Sequence, residues 1–309
     1  MTRVGVVDIG TNSTRLLIAD VADDAAVTEL QRNSEVTRLG EGVDATGSLK
    51  PEAMERVFVV LERYRAAIER HGVEVTTGVL TSAVRDAANG GEFVTAVNER
   101  FGVNARVISG DEEAQLTFLG ATSESDARSS DPVVVIDVGG GSTEFVIGTG
   151  REVEFHVSTQ AGVVRQTERH LHHDPPAPDE LDALAADVRR VIADGVPRAR
   201  RARVRDAVAV AGTATSLASI DQALDPYDPA KVHGYVVTLA TCRLLLARLA
   251  ALTDAQRREV VGLHPDRAPT IVAGVVILIE ALEAFGLDSY TASEHDILRG
   301  AALRAVGVA

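Results

Sequence analysis

Two stretches of this 309-residue chain set the same residue types in the same order. Val6-Val7-Asp8-Ile9-Gly10-Thr11-Asn12-Ser13-Thr14 and Val135-Ile136-Asp137-Val138-Gly139-Gly140-Gly141-Ser142-Thr143 share Asp, Gly, Ser and Thr at matching positions, with apolar residues leading in. A turn of glycines and small hydroxyls exposes successive backbone N–H groups, and that concavity holds an anion without needing lysine. Gly10, Thr11, Asn12 and Ser13 make the more polar version; Gly139, Gly140, Gly141 and Ser142 make the more open one. A third candidate, Gly212-Thr213, ends an apolar run just before a helical one, where a helix N-terminus also attracts phosphate. Any one of these alone reads as an ordinary turn between strands. Three in one chain, two of them led by Asp, point to phosphate.

Carboxylates cluster at the same places. Asp8 and Asp137 end their strands, where a carboxylate beside bound phosphate meets like charge, and a bridging Mg2+ resolves that conflict. Glu144, just past the second turn, is a further metal-proximal carboxylate on this reading. The plainer alternative is that these acids cap their turns. In Ser109-Gly110-Asp111-Glu112-Glu113-Ala114, Ser109 and Glu112 fit a capping box. Glu113 lies about 100° further round the helix. It is either a surface carboxylate or a base that orients and deprotonates water, and spacing does not choose. Arg85 follows the apolar run Val75–Leu80, where open α/β sheets contact ligands. It clamps phosphate or pairs with Asp86 or another surface acid.

Two other clusters read as structural. His170, His172 and His173 with Asp174 match no zinc spacing and suit a solvated helix end. Arg189, Arg190, Arg198, Arg200, Arg201, Arg203 and Arg205 suit a solvated helix face and linker; the alternative is a track guiding a polyanion.

The elements that must position these residues follow from periodicity. Val4–Asp8, Thr14–Val21 and Val27–Leu39 read as strands. A helix opens at Pro51, carries Val57, Val60, Leu61, Tyr64 and Ile68 at helical spacing, and stops at Gly72. Strand Val75–Leu80, a short helix near Ala83–Ala88, helix Glu92–Phe101, strand Val103–Ile108 and a helix from Gly110 to about Ala121 complete the unit. Residues 122–132 are polar and aperiodic, as a linker would be. The opening pattern then returns in strands Val133–Asp137, Glu144–Thr149 and Val153–Thr159. Helices at about 162–171 and 179–195, strand Asp206–Ala211 and a helix from near Thr213 follow. A helical stretch (about 238–285), a strand near Ser289–Ala292 and a last helix from about Asp296 close the chain. Two copies of strand–Asp-x-Gly–turn–strand imply duplicated domains facing each other, with a ligand in the cleft between them.

Composition bounds the function. The chain is 45% hydrophobic and 25% charged, with a net charge of −14, which argues against a nucleic-acid partner. The single cysteine, Cys242, allows no intrachain disulfide and fits a reducing cytosol. Neither lysine, Lys50 nor Lys231, follows a glycine, so the lysine-bearing phosphate loop is absent. The N-terminus is charged too soon for a signal peptide, and the longest apolar stretch, Ala268 to Ile279, falls short of the roughly 18 residues that span a bilayer. A soluble, cytoplasmic protein with no membrane partner is expected.

These motifs resemble a known family. Duplicated Asp-x-Gly turns on three-strand openings look like the actin and sugar-kinase superfold, an α/β class of two RNase H-like domains flanking a cleft, each a βββαβαβα unit. Within it, Asp8–Ser13, Thr81-Ser82-Ala83-Val84-Arg85-Asp86-Ala87, Ser109–Ala114 and Val135–Glu144 are similar, in the family's order, to the exopolyphosphatase/guanosine pentaphosphate phosphatase family. The match continues through Gly212-Thr213-Ala214-Thr215, His233-Gly234, Arg267-Ala268 and Ser293-Glu294-His295-Asp296-Ile297-Leu298-Arg299-Gly300. The resemblance implies Mg2+-dependent (or Mn2+-dependent) hydrolysis of the terminal phosphate of inorganic polyphosphate, or of the 5′-phosphate of the alarmone pppGpp. It makes Glu113 the general base, Asp137 and Glu144 (with Asp8) metal-proximal, Arg85 a phosphate ligand and the turns phosphate cradles. It also implies domains at 1–121 plus about 297–309 and at 122–296, and a homodimer. Longer relatives carry further C-terminal domains, so a chain ending at Ala309 is expected to favour short polyphosphate. The rival readings are an ATP-dependent small-molecule kinase of the same superfold and a non-catalytic polyphosphate or alarmone sensor.

Overall fold

The computed structural model describes residues 1–124 and 131–307; of the expected linker, residues 125–130 lie outside the described residues. The chain forms two compact units, Met1–Ser123 with Asp296–Ala309, and Glu124–His295.

Unit 1 runs β1 (Thr2–Ile9), β2 (Ser13–Val21), β3 (Val27–Val36), α1 (Val43–Thr46), α2 (Pro51–His71), β4 (Val75–Leu80), α3 (Ser82–Asp86), α4 (Gly90–Phe101), β5 (Ala105–Val107) and α5 (Gly110–Ala121). The C-terminal helix α14 (Ile297–Ala305) joins it. The sheet order is β3-β2-β1-β4-β5, with β1 antiparallel to β2 and parallel to β4. Central β1 is covered on both faces, so it reads as an unbroken apolar run, with Val4, Val6, Val7 and Ile9 buried. Helix α2 has Pro51 in its first turn and ends on Gly72 at φ 62°, whose N–H returns to Glu69 and Ile68 carbonyls. Its apolar stripe is buried, and Tyr64 Oη donates to Thr14 O (2.9 Å).

Unit 2 runs β6 (Val133–Val138), β7 (Thr143–Thr149), β8 (Glu152–Thr159), α6 (Val163–His170), α7 (Pro178–Gly195), α8 (Arg198–Arg201), β9 (Asp206–Val210), α9 (Ala211–Asp221), α10 (Pro229–Val232), β10 (Val236–Thr238), α11 (Leu239–Ala250), α12 (Asp254–Arg257), α13 (Ile271–Phe285) and β11 (Ser289–Ala292). Its sheet order is β10-β11-β9-β6-β7-β8. Taken from β8 inward, β8-β7-β6-β9-β11 repeats β3-β2-β1-β4-β5 strand for strand, with β10 added at the edge. The repeat extends to a defect. The β2/β3 register slips between Ile18 and Ala19, and the β7/β8 register slips between Ile147 and Gly148, positions related by the same offset as Asp8 and Asp137.

The expected helical stretch over 238–285 is broken. Gly262 at φ 86° and a 3-10 turn at Pro265–Arg267 separate α12 from α13, because proline cannot continue the preceding turn. Strand β10 was not expected at all; three residues are too few for an alternation signal. Helix α13 is buried almost all round and forms the centre of the unit 2 core, with β6, α6, α7, α9 and α11 against it.

The histidine and arginine clusters serve the fold. Glu180 accepts backbone N–H bonds from His172 and Ala177 (2.9 Å each) and lies 2.8 Å from His173 Nδ1. Burial raises the Glu180 pKa, but these donors outweigh it and bring it down to about 2 from the usual value near 4.5. A carboxylate depressed in the folded state stabilises above its unfolded pKa and loses that contribution as pH falls. Between about pH 4.5 and 2, Glu180→Gln should therefore flatten the pH dependence of stability in an acid melt; an unchanged slope would remove Glu180 from that role. Arg189 binds both oxygens of buried Glu280 (2.8 and 2.9 Å), Arg190 binds Asp187 (2.6 Å), and Arg200 and Arg203 reach Glu154. Arg201 and Arg205 donate to main-chain carbonyls. Most of the basic run is thus engaged within unit 2 rather than laid out as a track.

Candidate active site

Each Asp-x-Gly turn is closed by the same bond, Gly10 N–H to Ser13 O and Gly139 N–H to Ser142 O, both 2.9 Å. What matters for an anion is where the other peptide groups face. In unit 2 the start of α6 takes the turn's carbonyls: Val163 N–H donates to Gly139 O, Val164 N–H to Gly140 O, and Gly162 N–H and Arg165 Nε to Gly141 O (2.9, 2.9, 3.3 and 2.9 Å). In a trans peptide the N–H points opposite to the carbonyl. The N–H groups of Gly140, Gly141 and Ser142 therefore face away from α6, and none donates to an acceptor among the described residues. Three amides held this way make an anion nest. Gly162 must be glycine, because a Cβ there would overlap Gly140 O, Gly141 C and Ser142 N. Arg165 Nη2 lies 3.8 Å from where a Gly141 Cβ would stand, which brings a guanidinium to the rim of the turn.

Unit 1 repeats the device with other residues. Gly40 N–H donates to Thr11 O (2.8 Å), and Thr37 and Arg38 N–H donate to Asn12 O (3.0 and 2.9 Å), so the Asn12 and Ser13 amides face the opposite way. A Cβ on Gly40 would overlap the Thr11 methyl. Thr11 Oγ1 lies 3.0 Å from Ser82 Oγ, tying this turn to α3.

At the third turn, β9 passes into α9 through Ala211 at φ 62°, the left-handed region that a non-glycine residue rarely adopts. Gly212 follows, and a Cβ there would overlap the Arg267 guanidinium. Thr213 packs on Gly274 of α13.

Unit 1 also brings Arg85 and Glu113 together. Arg85 Nη1 donates to Ile108 O (3.0 Å) and lies 3.3 Å from Glu113 Oε2, while its Nε is 3.9 Å from Asp86. Ser109 caps α5 by accepting Glu112 N–H (3.2 Å). The expected box is only half formed, since the Glu112 carboxylate turns to Arg106 instead. Helix α5 is held by α14: Gly120 and Gly300 meet at a crossing where either Cβ would overlap the opposite backbone, Asp296 O or Leu116 O.

The carboxylates proposed for a divalent cation differ in fitness. Asp137 and Glu144 stand directly opposite in the β6/β7 ladder, both half-buried, and offer only oxygen donors, the set that Mg2+ and Mn2+ prefer. Ser142 and Ser158 hydroxyls donate to Glu144 Oε1 (2.6 and 2.7 Å), which fixes its carboxylate. Asp8 does not fit as a direct ligand. It is buried, its Oδ2 accepts from Arg15 Nε (2.8 Å), and its Oδ1 has less than 1 Å2 of exposed surface and no hydrogen-bond partner. Burial pushes the Asp8 pKa up, and Arg15 opposes that shift. Direct ligation through Oδ2 would require displacing Arg15, and Oδ1 is shut away from solvent.

Glu124, His233 and His295 also converge, with donor atoms within 4.8 Å of one another. A metal-bound histidine donates its second ring N–H, whereas His233 Nδ1 faces the Glu294 backbone N–H at 3.3 Å. The cluster is a hydrogen-bonded one. Gly40, Gly162, Arg15 and Arg165 carried no local signal as site residues; only the turns they touch were legible.

Residues 17–305 match the Ppx/GppA phosphatase family. Exopolyphosphatase 2 of Mycobacterium tuberculosis is 40% identical over 99% of this chain and 99% of its own. The crystal structure of an Aquifex aeolicus Ppx/GppA family member superposes with a TM-score of 0.86 at 30% identity, covering 99% of this chain and 97% of that one. An exopolyphosphatase structure from Cytophaga hutchinsonii superposes at 0.88 with 27% identity, covering 100% and 99%. Among the described residues, no helix is long and apolar enough to cross a membrane.

Proposed function

The chain belongs to the Ppx/GppA phosphatase family, and from that premise we propose that it removes the terminal phosphate of inorganic polyphosphate by attack of water, with pppGpp as a further candidate substrate. The observation that carries the reading is the rotation of three successive peptides by α6, which presents the Gly140, Gly141 and Ser142 amides to an anion. Their positions are set before substrate arrives, so they absorb charge spreading over the phosphoryl oxygens without reorganising. The Asn12 and Ser13 amides are prepared in the same way. Glu113 takes the proton of the attacking water, and Arg85, beside it, orients the carboxylate and contacts phosphate. Asp137 and Glu144 would hold Mg2+ or Mn2+, whose chemistry is to neutralise phosphoryl charge.

The test is phosphate release, with and without Mg2+, from tripolyphosphate, long-chain polyphosphate, pppGpp and ATP in parallel. Mg2+-dependent release from polyphosphate with no acceptor present is the expected result. Tight binding without release would replace this reading with a sensor, and turnover of ATP only with an acceptor would replace it with a kinase.

A further inference from the structure

The unit 1 turn is oriented by the segment that follows β3, so whatever holds that segment decides where the Asn12 and Ser13 amides face. Arg38 lies within it at φ 49°, the left-handed region, where the Cβ of an L residue crowds the following carbonyl. A non-glycine residue stays there only when its surroundings over-determine it. One side chain does this. Arg56 of α2 donates through Nε to Thr37 O (2.7 Å) and through Nη2 to Arg38 O (3.2 Å), the two carbonyls that flank Arg38. The guanidinium fork spans the strained residue.

The peptide joining Thr37 to Arg38 carries the effect inward. Its carbonyl and its N–H point opposite ways. The carbonyl accepts from Arg56, and the N–H donates to Asn12 O (2.9 Å). A charged donor makes the outer bond strong and polarises the inner one. Arg56 is itself held in place. Glu41 Oε2 accepts from its Nη2 (3.1 Å), and Glu41 Oε1 accepts from Nζ of Lys50 (2.9 Å), the residue that precedes α2. Helix α2 is anchored in turn by its buried stripe. Unit 2 also backs its turn with an arginine, but there Arg165 Nε reaches Gly141 O directly.

We propose that Arg56 is a positioning residue for phosphate binding: it clamps Arg38 in the left-handed conformation and so keeps the Asn12 and Ser13 amides turned toward the anion before it arrives. This inference rests on the reading of the unit 1 turn as a phosphate cradle in the proposed function. Without the clamp, the turn must be reoriented in every bound state. Apparent affinity then falls with the fraction of chains that are already competent. The penalty is the same for substrate and transition state, so KM rises while kcat holds.

The experiment compares variants of the full chain by kcat and KM for tripolyphosphate with Mg2+, and by calorimetric Kd for tripolyphosphate without it. A thermal melt confirms that each is folded. Arg56→Ala should raise KM and Kd by about 5–30-fold, the factor set by the left-handed conformation of a non-glycine residue, with kcat unchanged. Arg56→Lys keeps the charge but cannot span both carbonyls, and should stay impaired. Adding Arg38→Gly to Arg56→Ala should bring KM and Kd back toward wild type, because glycine enters the left-handed region freely. Unchanged KM and Kd in Arg56→Ala, a loss in kcat instead, full recovery in Arg56→Lys, or no recovery with Arg38→Gly would each overturn the inference. The last of these would mark Arg56 as touching the anion itself. Phosphate release by the wild type separates the two readings. Release with KM unmoved in Arg56→Ala defeats this inference alone, whereas a wild type that binds without release, with Kd shifted as expected, defeats the proposed function alone. A wild type that neither binds nor hydrolyses tripolyphosphate defeats both.

Discussion

Glu113→Gln should lower kcat for phosphate release from tripolyphosphate by about 10²–10⁴-fold, the usual contribution of a positioned general base, or roughly 3–5 kcal/mol of transition-state stabilisation. Glutamine keeps the shape of the side chain and can still meet Arg85 Nη1, which lies 3.3 Å from Glu113 Oε2. What it loses is the capacity to accept a proton. KM should therefore move little, because the loss is confined to the transition state. Stability should hardly change either, since an exposed ion pair of this kind contributes about 0–1 kcal/mol. Helix α5 keeps its Ser109 cap and its crossing with α14 in the variant. Steady-state kinetics and a thermal melt on the same preparation check both halves. Turnover near the wild-type level would end the assignment of Glu113 as base.

Gly162→Ala should cut kcat/KM for polyphosphate by on the order of 10²-fold, the scale of a displacement near 1 Å in a catalytic constellation. The backbone of Gly162 has φ −84°, which alanine adopts without strain. The penalty is purely one of space, because the new methyl would overlap three backbone atoms of the Gly140–Ser142 peptides. Either the turn or the first turn of α6 must move, and the three amides move with it. Overpacking of this kind costs about 1–3 kcal/mol of stability, so the variant should fold and still lose function. Gly91→Ala provides the control. No atom lies within 4 Å of a Cβ built there, and activity should be unchanged. A Gly162→Ala enzyme with normal kcat/KM would show that the nest is not the phosphate cradle.

Much of the architecture was legible because it is written in local rules. Pro51 and Gly72 bracket α2, Ser109 opens α5, and strands β4 and β11 span the residues that alternation and turn signals assigned to them. Long-range consequences were not legible. The Val27–Leu39 run was expected as one strand, but β3 stops at Val36 because Thr37 and Arg38 leave the ladder to bind Asn12 O. The stretch over 238–285 hid two breaks, since a largely apolar sequence interrupted only by Pro265 and Pro269 resembles a continuous buried helix until the chain is traced. The histidine cluster and the arginine run were identified by composition; Glu180 is a near neighbour of the histidines, whereas Glu280 and Glu154, the partners of Arg189 and Arg203, are distant choices that no spacing rule makes.

Residue order alone dictated the duplicated turns, the acids that lead them and the helix that carries Glu113, because glycine, proline and small hydroxyls act within a few positions of themselves. Only packing decided which way the turn peptides face, which glycines are obligatory and which aspartate is already neutralised. Peptide orientation is imposed by α6 and by residues 37–40, and charge balance by the residue across the ladder. Both depend on neighbours brought close in space, so two turns that share their Asp, Gly, Ser and Thr end with different charge partners.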